Sequence, residues 1–341
     1  MNYRKASWGF LGMVLTHFAV IIALLVARAA SIGMVTNLFL SEMMIVLPAF
    51  AALFASGERP DRVLCFHGMK FTSVLMVVVF TFLMEPFTTL LNAISMLFVD
   101  NAVMDMSNLA LEYPFPVMLF MMAVFGPVCE EVAFRGILYR GYLKSGSALK
   151  AVLLSSLLFG LIHMNFNQAP YAFALGVAMA LLMEATGSLW APVLMHMVFN
   201  AQSVVRMYVY DRFFPWILEE QAQQIMGPEE LLPTICLYLV LALVCTALAG
   251  CVLVLALQKR RTPGVCALAL EGRKGRRKKG ESCQCSSGCG HGDLFCLYDS
   301  AGAFVRVVKV CRSLRYWGLP YTTTEHGRRS AIRTVFWEVE G

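Results

Sequence analysis

Long apolar stretches separated by short polar loops run through the first 258 residues. A helix needs about 17–25 predominantly apolar residues to cross the hydrocarbon core of a bilayer. Eight stretches read as such helices, at roughly 8–30, 34–55, 71–98, 114–132, 149–164, 171–183, 189–208 and 232–257. The fifth and sixth are short, and Glu85-Pro86 interrupts the third, where a kink or a tilted entry is expected. The first stretch is longer than the apolar part of a signal peptide and lacks a small-residue cleavage site before polar sequence, so it is expected to stay as a span. The pattern predicts an all-α, polytopic membrane bundle of about eight transmembrane helices. No internal repeat of the transporter kind is visible in it.

Composition strengthens this reading. Of 341 residues, 58% are hydrophobic and only 15% charged, against about 25% charged in soluble domains. Mean hydropathy is +0.66. An ordinary soluble enzyme and a largely disordered chain are both excluded. Charge is also unevenly placed: residues 259–341 hold 16 Lys/Arg against 7 Asp/Glu, and the preceding 258 residues hold 12 against 15. The chain therefore divides into a helical membrane domain, 1–258, and a basic tail, 259–341. With the N-terminus inside, Arg4, Lys5, Arg59, Arg62, Lys70, Arg135, Arg140, Lys144 and Lys150 fall on the cytoplasmic side, and only Arg28, Arg206 and Arg212 outside. That bias predicts a cell-membrane protein with both termini cytoplasmic. Five of the 11 cysteines lie in or beside apolar runs, where they act as small hydrophobes.

Ionisable groups at membrane depth cost at least about 2.5–3.5 kcal/mol each, which makes each one a functional candidate. Three clusters stand out. In Glu130-Glu131-Val132-Ala133-Phe134-Arg135-Gly136, successive positions on a helix differ by about 100°, so the two carboxylates face different ways. Glu131 and Arg135, at i and i+4, can pair, which leaves Glu130 free for chemistry. Against this stands a plain salt bridge at a cytoplasmic helix end, with Arg135 near the interface. The second cluster, Phe159-Gly160-Leu161-Ile162-His163, ends an apolar helix. In the third, His196-Met197-Val198-Phe199-Asn200, the two polar residues share a face. A single histidine in a span often serves only to hydrogen-bond a neighbouring helix. Glu130, two histidines and an asparagine together are most easily satisfied by one another around a water.

The strings CEEVAFRG, FGLIH and HMVFN, with EATGSLWAPVLMH leading into the last, resemble the CPBP family of intramembrane proteases. That family includes CAAX-processing endopeptidases of prenylated proteins and bacterial bacteriocin-processing or immunity proteins. Its pattern, EExxxR, FxxxH and HxxxN on successive membrane helices, is met in order, and the resemblance covers about residues 114–205. The resemblance implies that Glu130 is the catalytic carboxylate, with Glu131 and Arg135 its structural companions beside Phe159. It further implies that His163 joins Glu130 in activating water, while His196 and Asn200 polarise the scissile carbonyl and stabilise the oxyanion. A base near the water and fixed donors where charge develops are what acyl transfer needs. No cofactor is expected. Zinc held by Glu130, His163 and His196 is the alternative, since two histidines and a carboxylate leave a fourth position for water. No HExxH is present, and asparagine is a poor zinc ligand.

His17, Glu42 and Glu85 also lie in spans, where a hydrogen bond inside the bundle is the simpler reading, and Glu184 is read as structural. In the tail, Arg273-Lys274-Gly275-Arg276-Arg277-Lys278-Lys279 suits anionic lipid headgroups. Cys283, Cys285, Cys289, His291 and Cys296 match no common zinc knuckle, and a reduced cluster is expected. Residues 304–310 alternate as a strand would. The expected partners are membrane lipids and a membrane-associated peptide or protein substrate, with no nucleic acid. The rival readings are a noncatalytic immunity or receptor protein using the same cavity and, at greater distance, a transporter.

Overall fold

The computed structural model describes residues 1–27, 32–99, 107, 109–144, 146–216 and 228–258. Every regular element among them is helical. In chain order these are α1 (Tyr3–Val26), α2 (Met34–Ala55), the single turn α3 (Pro60–Val63), α4 (Phe71–Ser95), a long composite helix α5 (Phe115–Leu143), α6 (Ala148–Ile162), α7 (Ala169–Thr186), α8 (Trp190–Phe213) and α9 (Pro228–Gln258). Each of the eight apolar stretches is thus a helix. Six are long and apolar enough to cross a membrane: α1, α2, α4, α5, α7 and α9. α6 has only 15 residues, about 22 Å at 1.5 Å per residue. α8 has the length, with 24 residues, but carries His196, Asn200, Gln202, Arg206, Asp211 and Arg212. The basic tail and its cysteine cluster lie outside the described residues.

Several boundaries differ from the hydropathy reading. α1 begins at Tyr3, because the Asn2 side chain accepts from the Lys5 amide at 3.0 Å and caps the helix before its apolar run. α4 runs through Glu85-Pro86 to Ser95 without ending. α5 continues past the apolar run to Leu143, and Arg135 is wholly buried within it.

Packing surrounds α5. α9 lies along α4, α6 pairs with α7 across the 163–168 loop, and α1 pairs with α2. The middle of α5 touches α1, α2, α6 and α8. Gly176 of α7 permits one close approach: a Cβ there would stand 2.9 Å from Ser156 Cβ on α6 and 3.0 Å from Arg135 Nη2. The start of α8 is braced from the α3–α4 loop. Leu189 N–H donates to the Cys65 carbonyl at 3.0 Å, Ser188 Oγ donates to the His67 carbonyl, and the Phe66 and Trp190 rings lie 4.8 Å apart.

Candidate active site

α5 is not a uniform α-helix where the candidate residues sit. Two π-helical segments, Met121–Phe125 and Val132–Leu138, flank the α-helical Gly126–Glu131. Such i→i+5 bulges widen a helix and recur at functional sites. Glu130 and Glu131, adjacent in sequence, consequently have different surroundings. Glu131 has no exposed surface, whereas the Glu130 side chain keeps 13%.

Glu131 is the hub of a buried network. Its Oε1 accepts from Arg135 Nη1 at 2.7 Å and from His196 Nδ1 at 3.1 Å. Both partners of the ion pair are fully buried. The Arg135 guanidinium also lies over the Phe159 ring, 4.2 Å from its centroid. Arg135 Nε and Nη2 and Glu131 Oε2 have no hydrogen-bond partner, so stacking on the aromatic face carries part of the burden of burying that cation. Phe159 meets His163 and His196 edge-on at 5.0 and 5.8 Å, and Phe134 at 5.2 Å. One ring therefore packs against the arginine and both histidines. The pairing of Glu131 with Arg135 agrees with the i, i+4 reading, but the link from Glu131 to His196 was not foreseen.

Glu130 faces both histidines. His163 Nε2 is 3.9 Å from Glu130 Oε1, and His196 Nε2 is 3.6 Å from Glu130 Oε2. The other ring nitrogens fix the orientations. His163 Nδ1 meets the Phe159 carbonyl at 2.8 Å, and His196 Nδ1 meets the Glu131 carboxylate. Carbonyl and carboxylate oxygens only accept, so each Nδ1 carries the proton and each Nε2 is turned to Glu130. Separations of 3.6–3.9 Å exceed direct hydrogen bonds and suit a bridging water.

Asn200, one turn beyond His196 on α8, donates from Nδ2 to the Met122 carbonyl at 2.8 Å. An amide has two N–H groups, so one remains for other use. Sequence reasoning also missed the position of Glu42. It is buried on α2, with Oε2 unpartnered and Oε1 3.2 Å from where a Cβ on Gly126 would stand. A Cβ there would crowd that carboxyl, one turn before Glu130. The remaining polar residues are tied elsewhere. His17 bonds the Met13 carbonyl in its own helix, Arg206 pairs with Glu85 at 3.3 Å, and Tyr139 donates to Glu184 at 3.1 Å.

The site thus gathers Glu130, Glu131, Arg135, Phe159, His163 and His196, and Asn200 stands one turn beyond His196 on α8. Among the described residues, no three His, Cys, Asp or Glu side chains form a group that could hold a metal ion. An apolar cavity of about 260 Å³ between α4 and the start of α8 is lined by Met69, Val74, Trp190, Val193, Leu194 and Met197.

Fold and site define a polytopic helical membrane protein in which one carboxylate faces two histidines. Residues 112–202 match the family described as type II CAAX prenyl endopeptidase, Rce1-like, which bears out the resemblance read from the motifs. The chain is similar to a Bacillus subtilis (strain 168) protein named as a membrane peptidase, YdiL, at 28% identity over 109 residues, 32% of this chain and 43% of that one. It is also similar to the membrane-embedded CAAX protease MroQ of Staphylococcus aureus (strain USA300), at 30% identity over 96 residues, 26% of this chain and 39% of that one. The chain spans about two fifths of the length of these curated relatives. No solved structure matches it.

Proposed function

We propose that this chain is an intramembrane endopeptidase that hydrolyses a peptide bond of a membrane-associated peptide or protein by metal-free glutamate chemistry. The observation that carries the proposal is the convergence of two histidine Nε2 atoms on the Glu130 carboxylate at 3.6 and 3.9 Å, at membrane depth. Glu130 takes a proton from a water oriented by His163 Nε2, whose own Nδ1–H is anchored on the Phe159 carbonyl. The water oxygen attacks the scissile carbonyl carbon, and the oxyanion meets the remaining Asn200 N–H and the His196 ring. His196 can donate from Nε2 when both of its ring nitrogens carry protons, with Nδ1–H held on the Glu131 carboxylate. Glu130 then returns its proton to the leaving amine. Fixed donors in a water-poor site are worth far more than in bulk water.

The matched family and relatives favour CAAX-type processing, with bacteriocin maturation or self-immunity as the related role. The basic tail would rest on anionic headgroups of the cytoplasmic leaflet. Two measurements test the assignment together. Comparing cleaved membrane peptides between cells making wild-type and Glu130→Ala protein should reveal products present only with the wild type. The purified wild type should keep its turnover after exhaustive chelation. Activity lost on chelation and restored by zinc would overturn the metal-free mechanism; identical peptide profiles would overturn the protease.

A further inference from the structure

The contact between Asn200 and the Met122 carbonyl has a cause in the backbone of α5. In the first π segment, Gly126 N–H donates to the Met121 carbonyl, five residues back. Continuing that register, the donor for the Met122 carbonyl would be the N–H of residue 127. The α register would instead use Gly126, whose N–H is already engaged. Residue 127 is proline and has no N–H. The Met122 carbonyl is therefore left without a backbone donor inside an apolar helix, where an unsatisfied carbonyl is costly. Asn200 Nδ2 fills the place at 2.8 Å. Because the acceptor is a carbonyl, only the amide nitrogen can face it, so the contact also fixes which way the amide is turned.

We propose that Pro127 is a positioning residue for Asn200. By withholding an N–H, it reserves the Met122 carbonyl for the Asn200 amide, which holds the second N–H aimed into the site. The proposal rests on the reading of Asn200 as an oxyanion donor. A free asparagine amide can rotate about its last torsion, whereas one pinned through one N–H presents the other in a single direction, which is what a preorganised donor requires. In Pro127→Ala the restored N–H competes for the Met122 carbonyl in the π register, and Asn200 is released.

The test uses the full chain in lipid nanodiscs, labelled with asparagine carrying nitrogen-15, with the Asn200 amide signal identified by its loss in Asn200→Asp. Three forms are compared: wild type, Pro127→Ala, and a form with lactic acid at 127, whose backbone ester also lacks an N–H but has no proline ring. Turnover is read on an internally quenched peptide ending in a farnesylated CAAX sequence. Pro127→Ala should shift the Asn200 amide signal and lower kcat about 10–100-fold with KM unchanged, a smaller loss than the about 10²–10³-fold for removing such a donor outright. The ester form should restore both the signal and kcat, which a loss of ring rigidity or a folding defect would not allow. An Asn200 signal unmoved by Pro127→Ala, or an ester form that behaves like alanine, would overturn the proposal, and the spectral arm decides this even without turnover of the peptide. Full kcat in Asn200→Ala would instead strike the underlying reading of Asn200 while leaving the exchange of hydrogen bonds measurable.

Discussion

Replacing Arg135 by methionine should be among the most damaging single changes in the membrane domain. Methionine keeps most of the side-chain length and removes the guanidinium. Glu131, without exposed surface and 2.7 Å from Arg135 Nη1, would then keep only His196 as partner. At an effective dielectric of about 20, two unit charges 2.7 Å apart attract by about 6 kcal/mol. The desolvation cost of the guanidinium is recovered on its removal, so the net loss should fall to about 3–5 kcal/mol, as for other broken buried pairs. Loss of the stack on Phe159 adds to it. The assay is reversible unfolding in mixed micelles followed by tryptophan fluorescence. The double variant Glu131→Gln with Arg135→Met leaves neither charge unpaired and should recover most of that stability, while turnover stays low because His196 has lost its carboxylate. A single variant costing under about 1 kcal/mol, the value of an exposed pair, would refute the reasoning. So would a double variant as unstable as the sum of the singles.

Other consequences are open to measurement. Glu58 lies outside the spans and accepts from Lys144 at 2.6 Å and from the N-terminal amine, and these hydrogen bonds hold its carboxyl down at about 2. Its folded value lies below its unfolded one, so the stability it adds is present above about pH 4.5 and lost as pH falls toward 2. Thermal melts over that window should show a loss of about 1 kcal/mol or less, since Lys144 is half-exposed, and Glu58→Gln should abolish that part of the pH dependence. Gly176→Ala should force α6 from α7 and push on Arg135, costing about 1–3 kcal/mol in the same unfolding assay; unchanged stability would show that the approach can relax. Single cysteines in a cysteine-free background should label from outside intact cells at Glu112 and not at Lys144, by the charge bias of the loops.

Much of this arrangement is legible in the residues before any coordinates. The eight apolar stretches are helices because their length leaves the backbone no other way to satisfy itself in lipid. Glu131 and Arg135 pair because they stand one turn apart. What escapes such reading is what depends on helix register and on contacts between distant segments. Nothing in the apolar run Met121–Phe125 announces a π segment, so the freed Met122 carbonyl and its capture by Asn200, 78 residues away, are invisible in hydropathy. The pairing of Arg135 with Glu131 is legible, but its complete burial under the Phe159 ring depends on a residue of another helix. His196 reaches Glu131 as well as Glu130 because α8 is braced at its start by the Cys65–His67 loop, a tertiary contact with no local signal.

The central claim, that Glu130 performs the chemistry while its neighbour Glu131 holds the site together, is tested most directly by turnover of purified Glu130→Gln protein. Glutamine keeps the shape but loses the negative charge and the ability to take a proton. Folded yield and unfolding midpoint should match the wild type, because Glu130 is longer than hydrogen-bond distance from both histidines and forms no buried ion pair of the Glu131–Arg135 kind. Cleavage of the farnesylated peptide should fall by at least about 10²–10⁴-fold, the contribution of a positioned general base. A folded Glu130→Gln protein cleaving at the wild-type rate would contradict the account.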